Sequence, residues 1–338
     1  MGNNEPMEQK AGFRDMKTGL MVFGILLVIG GGFCAMAIPM MILALAVSSL
    51  VETDSAAALR PATVVPAVAI YAAAAAWFIT MGIGSIRARR WARALVLVTS
   101  WMWLVGGVAG FIFVVLLMPD TVRRMENDPQ VPRSVIVVTT YVTIGFRVVL
   151  HVIIPAALVL FYGNRNVKAT CEWRDPKVRW TDKCPLPVLA LSLMFGLWAG
   201  SVFFIGFYGW VIPFFGVVLS GVAGAAVGAA GALLYGCIAW GLYRLRMTAW
   251  WGAVVLQGVW AVSSVLTFSR VSMLDFCEKM GFSQQQLDML RDHDVAERSA
   301  IILLCGLWLV GFMGYMLYTR RYFVHSGARE GAADQLLV

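Results

Sequence analysis

The sequence predicts an all-α integral membrane protein with eight transmembrane helices, built as two parallel four-helix repeats with both termini cytoplasmic. Three observations predict it. The 338 residues are 60% hydrophobic and only 14% charged, with a mean hydropathy of +0.76, whereas a soluble domain carries roughly 25% charged residues to hydrate its surface. Eight apolar runs reach the roughly 20 residues needed to cross a hydrocarbon layer. A pattern of Gly, Arg and Trp recurs at an offset of 157 residues. This composition excludes a water-facing enzyme, a disordered chain and a disulfide-stapled secreted domain. Ten-residue alternating segments are missing, which excludes a barrel.

The elements follow in order. A cytoplasmic tail, 1–17, leads into a first half, 18–163, with spans at Thr18–Leu50, Ala62–Ile86, Trp91–Met118 and Ser134–Tyr162. Pro39 and Pro155 remove backbone donors and are expected kink points. Residues 164–184 form a cytoplasmic linker. The second half, 185–319, holds spans at Pro187–Tyr208, Pro213–Tyr243, Ala249–Phe268 and Ala300–Tyr318, and 320–338 is a cytoplasmic tail. An outer cap, 270–299, reads as two short helices, the first stopped by Gly281 and the second opened by a Ser283/Gln286 capping box.

Orientation comes from loop cations. Arg87, Arg89, Arg90 and Arg93, the six cations between Arg165 and Lys183, Arg244 and Arg246, and Arg320 and Arg321 all fall on one side, together with the N-terminal tail. That side is read as cytoplasmic, in a cell membrane of bacterial inner-membrane type. The net charge of +8 is then explained by anionic lipid head groups rather than by nucleic acid.

The repeat rests on two inner hairpins. Setting Gly84-Ser-Ile-Arg-Ala-Arg89 against Gly241-Leu-Tyr-Arg-Leu-Arg246 pairs Gly84 with Gly241, Arg87 with Arg244 and Arg89 with Arg246, and the same offset pairs Trp103 with Trp260. An even number of spans per half makes both halves enter from one side, as a parallel repeat requires.

Chemistry is sparse. All 19 Asp and Glu fall in the expected loops or tails, whereas ion-coupled carriers keep intramembrane carboxylates as relays or ligands. Walker-type loops and HExxH motifs are missing. Arg147 and His151 are the ionisable exceptions inside a span; four residues apart, they share a helix face. Arg147 lies about 22 Å of helix from Tyr162. The pair is the candidate site for a lipid phosphate, an anion or a quinone-like carbonyl; otherwise Arg147 snorkels outward or bonds helix carbonyls, and His151 bridges two spans.

No cofactor is expected. With three histidines, of which only His151 lies at membrane depth, a bis-histidine haem lacks its second ligand. Cys171 and Cys184 give two of the four ligands a structural zinc needs, and their loop, with Trp173 and Trp180, better suits docking on lipid or a partner. Met273, Cys277 and Met280 lie on one helical face of the outer cap, with Met289 and His293 beyond; soft sulfur at that spacing is a candidate Cu(I) set, against the plainer reading of an amphipathic cap. Cys34, Cys237 and Cys305 read as small core residues. On the sixth span Ser220, Gly224, Gly228, Ala232 and Gly236 form a small-residue ladder, a face for close approach of another helix or subunit.

The functional expectation is a non-catalytic subunit or scaffold in a larger membrane assembly, with membrane lipids and other membrane subunits as partners. The alternative is a passive channel or uncoupled small-solute permease, for which Gln257, Ser263 and Ser264 add a thin polar path. A lipid- or quinone-active enzyme ranks last.

Overall fold

In lipid, an unpaired backbone N–H or C=O costs several kcal/mol, so apolar runs of this length fold as helices. The computed structural model describes residues 13–50, 61–127, 132–282 and 306–324, with residues 284, 287, 288 and 303. Seven helices among these residues are long and apolar enough to span a membrane. The chain is an all-α membrane protein, with one small β-hairpin among the described residues.

In chain order the elements are α1 (Lys17–Leu50), α2 (Pro61–Ile86), α3 (Arg90–Asn127) and α4 (Arg133–Val148). A π-helical turn (Val149–Ile153) joins α4 to α5 (Ile154–Gly163). Then come α6 (Arg165–Arg174), a 3-10 turn (Trp180–Asp182), α7 (Leu186–Ile205), a second 3-10 turn (Gly206–Tyr208), β1 (Ile212–Phe214) and β2 (Val217–Leu219). The series continues with α8 (Gly221–Tyr243), α9 (Met247–Arg270) and α10 (Met273–Lys279); residues 306–324 are helical and are called α11. The eighth expected span, Ala300–Tyr318, therefore lies partly outside the described residues. Two compact units divide the chain, residues 1–32 with 76–183 and residues 33–75 with 184–338.

In the first unit the helices meet at bare backbone. A Cβ built on Gly24 would stand 2.8 Å from the Gly82 carbonyl oxygen, and one on Gly82 would stand 2.6 Å from that of Gly24. With no hydrophobic force between helices in lipid, such close van der Waals contact is what holds α1 to α2. One turn away the buried Ser85 hydroxyl donates to the Leu20 carbonyl at 2.9 Å and pairs with the Tyr162 hydroxyl at 2.6 Å. Phe23 stacks on Phe161 at 4.4 Å between centroids. Helices α1, α2 and α5 are thus fixed at one end of this unit by a polar contact inside an aromatic cluster.

In the second unit the sixth span begins later than expected, at Gly221 rather than Pro213. Residues 212–219 instead form a two-residue hairpin in which Ile212 pairs with Leu219 and Phe214 with Val217. Phe215 and Gly216 both have positive φ, the geometry of a turn whose twist matches antiparallel strands. The hairpin lies against the first two turns of α8. A Cβ on Gly224 would collide with the Trp210 carbonyl, and one on Gly228 would stand 3.2–3.3 Å from Ile212 and the Trp210 ring. Turn amides with no partner in their own ladder take one from α9: Phe215 donates to Ser263 Oγ at 2.9 Å and Gly216 to Thr267 Oγ1 at 3.0 Å. The strand propensity of Val-Ile-Pro-Phe-Phe-Gly-Val-Val was hidden in an apolar run, and apolarity alone does not distinguish a buried strand from a helix.

The hairpins joining α2 to α3 and α8 to α9 share one geometry. Ala88 and Leu245, 157 residues apart, have φ of 48° and 56°. Arg89 N donates to Gly84 O and Ala88 N to Ser85 O; Arg246 N donates to Gly241 O and Leu245 N to Leu242 O. Gly84 faces the Ala92 methyl and Gly241 the Ala249 methyl. At the same offset Phe78 meets Trp103 at 5.9 Å, while Tyr235 is hydrogen-bonded to Trp260.

Helix α10 ends as its sequence requires. Gly281 takes a φ of 82°, Gly281 N donates to Glu278 O and Phe282 N to Cys277 O, the Schellman pairing that satisfies terminal carbonyls. The expected second cap helix lies largely outside the described residues, of which 284, 287 and 288 are helical.

Thr267→Val keeps the volume but leaves the buried Gly216 amide without an acceptor. Thermal unfolding in detergent should show a loss of about 1–3 kcal/mol, and Thr267→Ser should restore most of it. Equal stability of the Val and Ser variants would show that the hydroxyl does not hold the turn.

Candidate functional site

Among the described residues the most organised polar assembly is the linker, residues 164–183, against the α2–α3 loop of the first unit. Asn164 opens α6 by accepting from Asn166 N at 2.8 Å, an N-cap that starts a helix immediately after α5 ends. The helix brings Thr170, Glu172 and Arg174 up to the starts of α1 and α3. Met16 N donates to Thr170 Oγ1 at 3.0 Å, and Arg174 pairs with Asp15.

At its centre lies Asp175, with a side chain 3% exposed. Arg179 donates to it through Nε at 3.1 Å and an Nη at 2.9 Å, the bidentate geometry that strengthens such pairs. Arg89 reaches the same carboxylate at 3.5 Å, and Arg90 N donates to it at 3.4 Å. Arg90 in turn reaches Glu172 at 3.5 Å and Asp182 at 3.3 Å. The Arg179 hydrogen bond, joined by the Arg90 amide and the neighbouring cations, holds the Asp175 carboxyl below the usual carboxylate range despite its burial. The Arg-x-Arg-Arg stretch, expected to contact lipid phosphates, thus has Arg89 and Arg90 engaged by linker carboxylates. Sequence reasoning missed this because the partners lie 82 to 92 residues away.

Cys171 and Cys184 are buried at 1% and 4% exposure. Burial pushes the Cys171 thiol up to about 11 against the pull of Arg93, and burial pushes Cys184 up to about 12. Both stay protonated near neutrality, and a thiol in that state is a poor nucleophile or metal ligand. Trp173, Val178 and Trp180 lie exposed on the linker.

Arg147 occupies the last turn of α4 and His151 the middle of the π turn. The π turn has a cause in Pro155, which has no N–H to give the His151 carbonyl and whose ring crowds it. The chain widens by one residue, so that Ile154 N donates to Val149 O. The displaced His151 backbone lies against α3 at Gly107, where a Cβ would stand 2.5 Å from the His151 carbonyl oxygen and 2.9 Å from its Cβ. Such bulges are frequent at functional positions. His151 Nδ1 is buried without a hydrogen-bond partner, and Arg147 has no ion pair among the described residues. Both residues are half-buried.

The remaining candidate residues are placed as follows. Gly224 and Gly228 face Trp210 and Ile212, whereas Gly236 has open space where its Cβ would stand; Ser220 is exposed and Ala232 half-buried. Met273, Cys277 and Met280 share α10 and its cap, with Cys277 3% exposed; Met289 and His293 lie outside the described residues. Among the described residues no group of three His, Cys, Asp or Glu gathers. Cys237, expected in the core, is exposed, because its helix presents that face outward; Cys34 is half-buried. Cys305 lies outside the described residues.

Asp175 carries a pH signature. A carboxylate whose folded pKa is depressed stabilises the fold above its unfolded value near 3.8, and that stability is lost as pH falls through the folded value. Asp175→Asn should lower stability at pH 7 by about 1–3 kcal/mol and should flatten the acid limb of stability against pH below about pH 4. An unchanged acid limb in the variant would remove Asp175 from its role.

Compared with protein-family models, curated proteins and solved structures, the chain matches none.

Proposed function

We propose that this protein is a non-catalytic subunit or scaffold of a larger membrane assembly. In this reading it has eight spans, both termini are cytoplasmic, and two related four-helix halves make up the body, placed in a bacterial inner membrane. The paired hairpins at an offset of 157 residues support the two halves, and the clustering of loop cations supports the orientation.

The observation that carries the scaffold reading is how polar side chains of the spans are used. Ser85 donates to the Leu20 carbonyl, Ser192 to Ala239 O, Trp250 to Met316 O and Tyr315 to Pro187 O, while Ser263 and Thr267 accept from the hairpin. Each fixes this chain's own backbone. Large apolar residues remain exposed on the span faces, among them Val222 at 88%, Leu160 at 77% and Leu233 at 70%. Such faces suit lipid and partner helices.

A second reading, a passive small-solute pathway or ligand site, is favoured by one observation: the buried, unpaired Nδ1 of His151 at the π turn. An orphaned buried polar atom calls for a partner, which a solute or ligand would supply.

Two substitutions on α8 test the scaffold reading. Gly228→Leu drives a side chain into Trp210 and Ile212, and should lower the stability of the isolated protein by about 1–3 kcal/mol. Gly236→Leu enters open space and should leave that stability unchanged. On the scaffold reading, Gly236→Leu should abolish stoichiometric co-purification of the subunits that accompany the wild type from native membranes. Wild-type protein that purifies alone, and that supports solute flux in liposomes abolished by His151→Leu, would replace the scaffold with the pathway.

A further inference from the structure

The linker's three carboxylates, Glu172, Asp175 and Asp182, engage Lys168, Arg179, Arg89 and Arg90, while a second group of cations stands apart from them. On the other side of the α2–α3 loop a cleft of about 530 Å³ is lined by Lys17, Ile86, Arg87, Ala88, Trp173 and Arg174. Three of these six residues are cations. Only Arg174 has an ion pair there, with Asp15; Lys17 and Arg87 are exposed and have none among the described residues. Arg174 Nε is moreover buried without a hydrogen-bond partner. Setting Asp15 against Arg174 leaves the cleft with two uncompensated positive charges.

Its depth is given by the helices that build it. Lys17 is the first residue of α1 and Ile86 the last of α2, so the cleft sits where two apolar spans meet the polar layer. Trp173 is 49% exposed there, with the Arg174 guanidinium 5.1 Å from its ring. An indole and an isoleucine beside three cations offer an apolar wall to acyl carbons and a positive floor to a phosphate. Basic pockets at the ends of spans hold anionic head groups in this way, while a zwitterionic lipid brings its own cation and gains less.

We propose that this cleft is a binding site for one anionic phospholipid, its phosphodiester held by Lys17, Arg87 and Arg174 and its glycerol and upper acyl carbons against Trp173 and Ile86. The site is formed by the first unit alone. It requires neither a partner subunit nor the scaffold reading. The linker's ion-pair network contributes by anchoring α6, which presents Trp173 and Arg174.

The test uses the full-length protein in detergent, with phosphatidylglycerol, phosphatidylcholine and inorganic phosphate as probes in native mass spectrometry and thermal melting. Wild type should retain one phosphatidylglycerol in preference to phosphatidylcholine, and its melting temperature should rise with phosphatidylglycerol alone. Lys17→Gln with Arg87→Gln should weaken that retention on the order of tenfold, from the loss of two head-group cations, with an unchanged melting temperature in phosphatidylcholine. Lys177→Gln with Lys183→Gln removes the same charge from elsewhere on the linker and should leave retention intact. Equal loss in both double variants would reduce the effect to general surface charge and overturn the site. Retention unaffected by Lys17→Gln with Arg87→Gln would overturn it too. Stabilisation by inorganic phosphate equal to that by phosphatidylglycerol would make the cleft a phosphate site and overturn the lipid assignment.

Discussion

The constraint on which this structure depends is that a backbone polar group in lipid must find its partner within the protein. Helices meet it locally, and seven apolar helices follow among the described residues. The instructive places are where helical bonding fails. At Pro155 the missing N–H is accommodated by a π turn, and the displaced His151 backbone is received at Gly107, which has no side chain to obstruct it. At 212–219 the chain leaves the helix altogether, and two hydroxyls on α9 supply the acceptors that the turn amides need.

The same constraint explains why so few polar side chains remain for other tasks. A serine or threonine that secures backbone in a low-dielectric layer is worth keeping, because the group it satisfies would otherwise carry its full desolvation penalty. Close helix approach through Gly24 and Gly82 adds packing that demands no polar group at all. At mid-span, His151 Nδ1 on the π turn and Gln257 Oε1 on α9 stay buried without a hydrogen-bond partner.

At the polar end of the first unit, electrostatics replaces packing. Asp175 draws Arg179, Arg89 and the Arg90 amide into one cluster, so the linker is a folded part of the unit and not a tether. The division of cations is the functional consequence. Arg89 and Arg90 are held by carboxylates, while Lys17 and Arg87 face a cleft without that compensation. Arg87 and its sequence neighbours Arg89 and Arg90 therefore differ in what they can bind.

The sequence by itself determined the solvent. Composition and run length required apolar helices, and Gly281 after an amphipathic stretch required the end of α10 where it occurs. It also carried the Gly84/Gly241 correspondence, since a tight hairpin needs the same small residue at the same place. Pro155 announced a disturbance in its span, but whether the chain kinked or widened depended on what α3 offered opposite, and that was Gly107. The start of α8 was illegible because Val211–Leu219 is as apolar as a span; only docking of Trp210 on Gly224 and Gly228, with Ser263 and Thr267 behind it, selects strands over helix. The pairing of Asp175 with Arg89, and the sorting of engaged from available cations, was decided by tertiary structure. Coulombic partners are chosen by distance in space, and a linear sequence gives no measure of that distance.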